Sequence, residues 1–441
     1  MRISTLQAFN NGVAGIQRNY SNATRTQEQI STGNRILTPA DDPVASVRLL
    51  QLEQQQNVLS QYNSNLTAAK NSLTQEEVTL NSVNTVLQRV RELAVQAGNG
   101  SLDPQDRKSI AAELGEREDE LLSLMNTRNA RGEYLFAGFQ GKTQPFVRGP
   151  EGSYSYAGDE GQRKLQIASS LDIPISDNGK SIFQSVTNAG RLDSALDVSS
   201  IPAGVKATLS VSKPLVSDEV ALIGAPSFPA DGVEIRFEAD GAFSIYALPR
   251  QTDPVSGGFT DDPLPDGINL KLDPDAKNSD QLVFRGVTLH FAGEAVGGER
   301  VVVMPGTITN VASDGTITAE SVQNKQGILD TIANLRSALE DPSTASTGVR
   351  DAVAVALTNL DHGMVSVDQA RGNIGARLNV IETTQTDNED VALVNKGVQA
   401  ELRELDYAEA LSRLSMQTVV LEAAQQSYVK IAGLSLFNVM R

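Results

Sequence analysis

Leucine recurs every seventh residue at Leu52, Leu59, Leu66, Leu73, Leu80 and Leu87, and Ala94 continues the column. A second column at Tyr62, Ala69, Val83, Val90 and Ala97 completes a heptad, in which Glu76 is the polar exception. A seven-residue apolar repeat keeps one seam of a long helix turned toward a partner helix. Roughly forty residues rising about 1.5 Å each predict a rod of about 60 Å. Such a rod suits an assembly subunit better than an enzyme.

Upstream, Leu6, Phe9, Val13, Ile16, Tyr20, Ala23 and Ile30 alternate in steps of three and four or close to it, the mark of an amphipathic helix. The segment TPADDP at 38–43 must interrupt it, because two prolines break a continuous helix. Asp42 is placed to cap the next helix, with Pro43 at its first position, where a missing N–H costs nothing. The rod ends at the GNGS turn, 98–101. Asp103 and Pro104 repeat the cap signal for a shorter helix that turns Ile110, Leu114, Leu121 and Met125 to one side.

The C-terminal part mirrors this plan. Ile328, Ile332, Leu335 and Leu339 predict a helix stopping near Pro342. A long helix then carries Val353, Leu360, Val367, Ile374 and Ile381 at steps of seven. Leu357, Met364 and Leu378 form its expected second column, with Arg371 out of character. The stripe continues through Val391, Val398 and Leu405, then Leu414, Leu421 and Tyr428. The simplest closure packs the two rods against each other. The terminal helices fall outside that pairing, so they either pair locally or become ordered when neighbouring subunits cover them. The marginal stability of short isolated helices favours the second course.

Between the arms the pattern changes. Thirteen of the 17 prolines lie from Pro145 to Pro305. Residues 232–247 alternate about Asp240-Gly241, and 282–305 read as strands joined by glycine turns, both as hairpins. Residues 154–158 and 164–168 suggest another pair. The expected fold is mainly α with an inserted β-rich domain, the long antiparallel helical rods being built from both arms. The expected divisions are 1–43 and 411–441 as terminal amphipathic helices, 44–140 and 319–410 as the rod halves, and 141–189 and 276–318 as parts of the inserted domain. Residues 190–275 are expected to form an extra β-rich sub-domain.

Charge narrows the options. The net charge of −17 argues against a phosphate-reading surface, so no nucleic acid is expected as partner. The acid sits in the middle, where residues 151–320 carry 24 acidic and 12 basic side chains; the two ends are mildly basic. There is no cysteine, hence no disulfide or thiol chemistry, and no apolar run has the length of a membrane span. The N-terminus lacks the apolar core of a secretory signal peptide, so the chain is expected to be cytoplasmic or exported without a cleaved signal.

Candidate chemistry is sparse. His290 and His362 lack acidic partners at ligand spacing, which gives neither a catalytic nor a metal role. Gly141-Lys142-Thr143 ends like a phosphate loop, but Phe136 stands where that loop needs its first glycine. The acidic stretch 273–280 lacks the glycine and terminal glutamate of a calcium loop. No cofactor, metal or enzyme activity is expected.

Two long stretches are familiar. QISTGNRILTPADDPVASVRLLQL (29–52) resembles the N-terminal signature of the flagellin superfamily, the axial proteins of bacterial flagella. Its TPADDP form is similar to the hook-associated protein 3 branch. RGEYLFAG (131–138) resembles the motif leading out of the helical domain, and 405–441 resembles the C-terminus of the same branch, with LSLFN at 434–438. GVTLHFAGEAVGGERVVV (286–303) is similar to strands of its inserted domain. The resemblance implies a structural subunit joining hook to filament, located on the extracellular flagellum after export. Its implied partners are copies of itself in a ring, the other hook–filament junction protein, flagellin and an export chaperone, with no membrane partner. Leu6, Phe9, Val13, Ile16 and Tyr20 would pack an inner tube with Leu421, Tyr428, Leu434, Leu436 and Phe437. The alternatives are flagellin itself and a surface adhesion or binding module in the middle domain; the latter needs a polar cluster around a pocket, which the sequence does not display.

Overall fold

The computed structural model describes residues 5–439 apart from 150–151, 202–204, 239–240, 252–258, 269, 273–279, 312–316 and 323. For residues 5, 6, 8, 9, 307–311, 317–322 and 431–439 it describes the backbone alone. Seven α-helices carry the architecture among these residues: α1 (Thr5–Thr32), α2 (Pro43–Ala97), α3 (Pro104–Met125), α4 (Glu219–Ile223), α5 (Ile328–Glu340), α6 (Ser346–Arg403) and α7 (Tyr407–Val439). The chain divides into two compact units. One comprises Met1–Ala68, Gln166–Leu171 and Val380–Arg441; the other comprises Ala69–Leu165 and Asp172–Asn379.

The larger unit holds the helical pattern at its strongest. Leu73, Leu80, Leu87 and Ala94 are buried, and so are Ala69, Val83, Val90 and Ala97. A third column, Thr79, Val86 and Leu93, is buried beside them. Three columns make a wide stripe rather than a narrow two-helix seam, because α2 here faces more than one neighbour. The expectation that the two rods simply bury each other is corrected accordingly. Toward α6, Arg91 pairs with Asp361 at 2.7 Å and Asn84 donates to Asp368 at 3.4 Å. Seven residues forward on α2 thus match seven backward on α6, an antiparallel heptad register. Toward α3, Arg89 pairs with Glu113 at 2.8 Å.

Both cap predictions match the geometry. Asp103 accepts the backbone N–H of Asp106 at 2.8 Å, and Pro104 opens α3. Ile110, Leu114, Leu121 and Met125 are buried, and α3 packs against α5, where Ile328, Ile332, Leu335 and Leu339 are buried. Buried Glu118 ties this pair down. It forms ion pairs with Arg148 at 2.5 Å and Arg336 at 3.0 Å and accepts the Tyr154 hydroxyl.

On α6 the first column, Val353, Leu360, Val367 and Ile374, is buried as expected. The second is displaced. Leu357, Met364 and Leu378 are half-buried, whereas Ala356, Gly363 and Ala370 are buried. Small residues occupy that face because a neighbour comes close: a Cβ on Gly363 would stand 3.0 Å from the Ile328 side chain.

Two sheets in this unit share one core. In the first, the strand Val233–Phe237 lies between Ala242–Ala247 and Arg300–Pro305, and Leu192–Asp197 extends it beyond Arg300–Pro305. In the second, Val287–Ala292 pairs with Asp280–Phe284 and with the short strands Ser210–Val211 and Leu215–Val216. Phe237 from one sheet meets Phe291 from the other edge to face at 5.8 Å. Residues 232–247 and 280–292 are hairpins, as the alternation indicated. The strand Arg300–Pro305 is not hairpinned to Val287–Ala292; the chain crosses between sheets there. Tyr154–Tyr156 pairs with Phe146–Arg148 rather than with 164–168. Strands from 190–275 and from 276–318 join in both sheets, so 190–275 is not set apart as a sub-domain.

In the smaller unit α1 packs along α7. The Tyr428 ring lies 3.2 Å from where a Cβ on Gly12 would stand, and the Tyr407 hydroxyl lies 3.0 Å from the same point on Gly33. Twenty-one residues along α1 therefore match 21 along α7 in reverse, from Gly12–Tyr428 to Gly33–Tyr407. The two terminal helices pair locally, which was one of the two courses expected of them. Helix α7 begins at Tyr407, a few residues before the expected boundary at 411, because Asp406 accepts the N–H groups of Ala408 and Glu409 and caps it.

Candidate assembly face on the smaller unit

The turn after α1 is tied to the break between α6 and α7. Arg35 N donates to the Arg403 carbonyl at 2.8 Å, and Leu405 N donates to the Gly33 carbonyl at 3.0 Å. The Arg35 guanidinium reaches the Leu402 carbonyl at 3.0 Å, while Arg403 Nε donates to Asn34 Oδ1 at 3.0 Å. Gly33 has φ +71, a left-handed conformation that a side chain would strain. Each chain end thus changes direction at the same clasp.

The TPADDP turn completes that geometry. Asp41 Oδ2 accepts the N–H groups of Leu37 and Thr38, both at 3.0 Å, and its carboxylate pairs with Arg25. Asp42 accepts Ala45 N at 3.0 Å and caps α2, with Pro43 at the first helical position as predicted. The two adjacent acids have separate tasks: one folds the turn and the other starts the helix.

What this unit leaves uncovered is its main feature. Buried positions thin out on its part of α2, where Leu59 and Leu66 are buried but Val44, Val47 and Leu50 are exposed at 80%, 58% and 66%. On α6 the heptad continues with amides, Asn388 and Asn395 being buried while Leu393 and Val394 are exposed. On α7, Leu411, Met416, Val419, Val420 and Val429 all face solvent. A monomer seldom exposes so much large apolar surface without an interaction to bury it in.

Of the ten residues expected at an assembly interface, five are described with their side chains. Val13, Ile16, Leu421 and Tyr428 are half-buried in the unit that pairs α1 with α7, and Tyr20 is 64% exposed. The side chains of Leu6, Phe9, Leu434, Leu436 and Phe437 lie outside the described residues. Sequence reasoning missed Val44, Val47, Leu50, Leu393 and Val394, because they lie off the dominant heptad columns. A signal was available: α7 is apolar on more than one side, a pattern that calls for cover on more than one side.

The other candidate motifs are structural. The His362 ring nitrogen Nδ1 stands 3.0 Å from the Thr187 carbonyl oxygen. Burial, followed by the nearby Arg350 charge, lowers the His290 pKa. Gly141 accepts Tyr134 N at 2.7 Å within a turn, with no helix following to make a phosphate loop. Residues 273–279 lie outside the described residues. Among the described residues there is no cluster of potential metal ligands, and no helix is long and apolar enough to cross a membrane.

Comparison with known proteins gives this architecture relatives. The bacterial flagellin N-terminal helical region matches residues 3–141. That match takes in the first three helices, so this part of the chain is similar to the helical region of flagellins. Proteins named flagellar hook-associated protein 3 from Escherichia coli and Salmonella typhimurium are each 36% identical over 188 residues, covering 43% of this chain. The chain spans 58% of the length of these curated relatives. The crystal structure of a flagellar hook associated protein-3 from Legionella pneumophila superposes with a TM-score of 0.60 at 25% identity, covering 80% of this chain and 98% of that one. A flagellar junction protein from the same species gives 0.58 at 25% identity, over 81% and 100%. The chain is thus similar to hook-associated proteins in both sequence and fold.

Proposed function

We propose that this chain is a structural subunit of the bacterial flagellum, seated between hook and filament. The observation that carries the reading is the exposed apolar surface of the smaller unit, held on helices whose ends are clasped at Gly33–Arg35 and Leu402–Leu405. That surface becomes buried when copies pack side by side in a ring. Head-to-tail contacts between identical subunits close into a ring or, where they do not close, generate the helical order of a tube. Names of relatives support the position in the structure, and the superfamily's structural character supports a role without catalysis. The partners proposed are sister copies, the other hook–filament junction protein, flagellin and an export chaperone. The proposed location is the extracellular flagellum.

Electron microscopy of cells lacking the gene tests this reading. Hooks without filaments, with unassembled flagellin in the medium, are the expected result. Filaments of normal length on normal hooks would overturn it. If the chain were flagellin instead, the purified protein would polymerise into long filaments by itself.

A further inference from the structure

The chain has three Asn–Gly steps, Asn11–Gly12, Asn99–Gly100 and Asn178–Gly179, and the structure treats them differently. Such a step is chemically weak, because a glycine backbone lets its amide nitrogen swing onto the preceding side-chain carbonyl. Asn11–Gly12 lies within α1, where helical hydrogen bonds hold the backbone, and the Tyr428 ring closes over Gly12. At Asn178–Gly179 the glycine nitrogen already donates to the Phe136 carbonyl at 2.9 Å. A Cβ on Gly179 would meet the Phe146 ring at 2.7 Å, so that backbone has no room to turn.

Asn99–Gly100 has none of these restraints. It sits in the exposed turn between α2 and α3, with nothing within 4 Å of a Cβ built on Gly100. The Gly100 nitrogen makes no backbone hydrogen bond among the described residues. The Asn99 side-chain carbonyl, in contrast, is polarised: it accepts Ser101 Oγ at 2.9 Å and Ser101 N at 3.2 Å. Those donors draw electrons from the carbon to be attacked. Asn99 and Gly100 also line a cleft of about 240 Å³ with Arg107, Ser346, Thr347 and Arg350. The Arg107 guanidinium has no ion-pair partner among the described residues, while Arg350 lies 3.7 Å from Asp351. Cations lining the same cleft as the amide favour loss of its proton and a new negative charge there.

We propose that Asn99 is a site of spontaneous covalent modification whose carboxylate product is held by Arg107 and Arg350. The Gly100 nitrogen gives up its proton and bonds to Asn99 Cγ. The Cγ–Nδ2 bond breaks, and ammonia leaves carrying that proton. Water then opens the five-membered imide at either carbonyl, leaving aspartate or its β-linked isomer. The only co-reactant is water. The product adds a negative charge at the end of α2 and gives the Arg107 guanidinium, unpaired among the described residues, an acidic partner in the cleft.

The test is incubation of the purified full chain at pH 7 and pH 9, with peptides read by mass spectrometry. The Asn99 peptide should convert, faster at pH 9, to a mixture of aspartyl and isoaspartyl forms, while the Asn11 and Asn178 peptides stay intact. In urea all three should react alike. Gly100→Ala should slow conversion at Asn99 about tenfold, because the side chain restricts the backbone. Arg107→Gln should slow it as well. An intact Asn99, or conversion at Asn11 or Asn178 at an equal rate in the folded chain, would overturn the proposal. An unchanged rate in Arg107→Gln would overturn the part given to the cleft.

Discussion

Glu76 occupies a seam position of the heptad, where every neighbour in its column is apolar, and it is buried with 1% exposure. Burial, then the charge of Asp177, pushes its pKa from 4.5 up to about 8. The Asp177 N–H donates to Glu76 Oε1 at 3.1 Å, and Arg377, paired with Asp177 at 2.9 and 3.0 Å, and Arg163 oppose the rise only in part. The folded chain therefore keeps a proton that the unfolded chain releases. The stability linked to that proton is present below pH 4.5 and is lost as pH rises toward 8. At about 1.4 kcal/mol per unit, the loss is under about 1 kcal/mol at pH 5, about 3 at pH 7 and about 5 at pH 9. Glu76→Gln keeps the acceptor for Asp177 N and removes the titration. Urea unfolding followed by helical circular dichroism should show the variant gaining about 4 kcal/mol on the natural chain between pH 5 and pH 9. A difference that stays flat across this range would refute the reasoning.

Other perturbations read the same architecture. Leu80→Ala should cost about 3 kcal/mol in the same assay, since Leu80 is fully buried; half-buried Leu52→Ala should cost about 1 or less. Asp42→Ala removes the acceptor for Ala45 N and should cost about 1 kcal/mol, visible as faster amide exchange in the first turn of α2.

Much of the helical plan was legible because its signals are local. Asp42-Pro43 and Asp103-Pro104 mark helix starts whatever surrounds them, and the Leu66–Leu87 column is buried because a heptad fixes its face. The errors lie where distant parts of the chain decide. The second column of α6 runs through Ala356, Gly363 and Ala370, since the close neighbour Ile328 admits only small residues there; hydrophobicity alone pointed to Leu357 and Met364. Alternation identified the strand Arg300–Pro305 but not its partners, because pairing in two sheets depends on chain crossovers rather than on the strand. Glu76 read as an interruption of the seam, and its meaning emerged only with Asp177 and Arg377, far away in sequence. The exposed apolar face proposed for assembly was half visible for the same reason: heptad columns reveal what a chain buries within itself, and Val44, Leu50 and Leu393 lie on the opposite side.

Because the chain has no cysteine, Met416→Cys on α7 would carry the molecule's sole thiol, at a position 72% exposed in the single chain. Reaction of that thiol with a soluble reagent, in purified monomer and in isolated flagella, measures directly whether sister subunits cover the apolar face. A parallel Val220→Cys on α4, 79% exposed in the other unit, sets the rate for an uncovered position. The account predicts rapid labelling of both thiols in monomer and, in flagella, protection at residue 416 with residue 220 still reactive. Equal labelling of residue 416 in both states would contradict it.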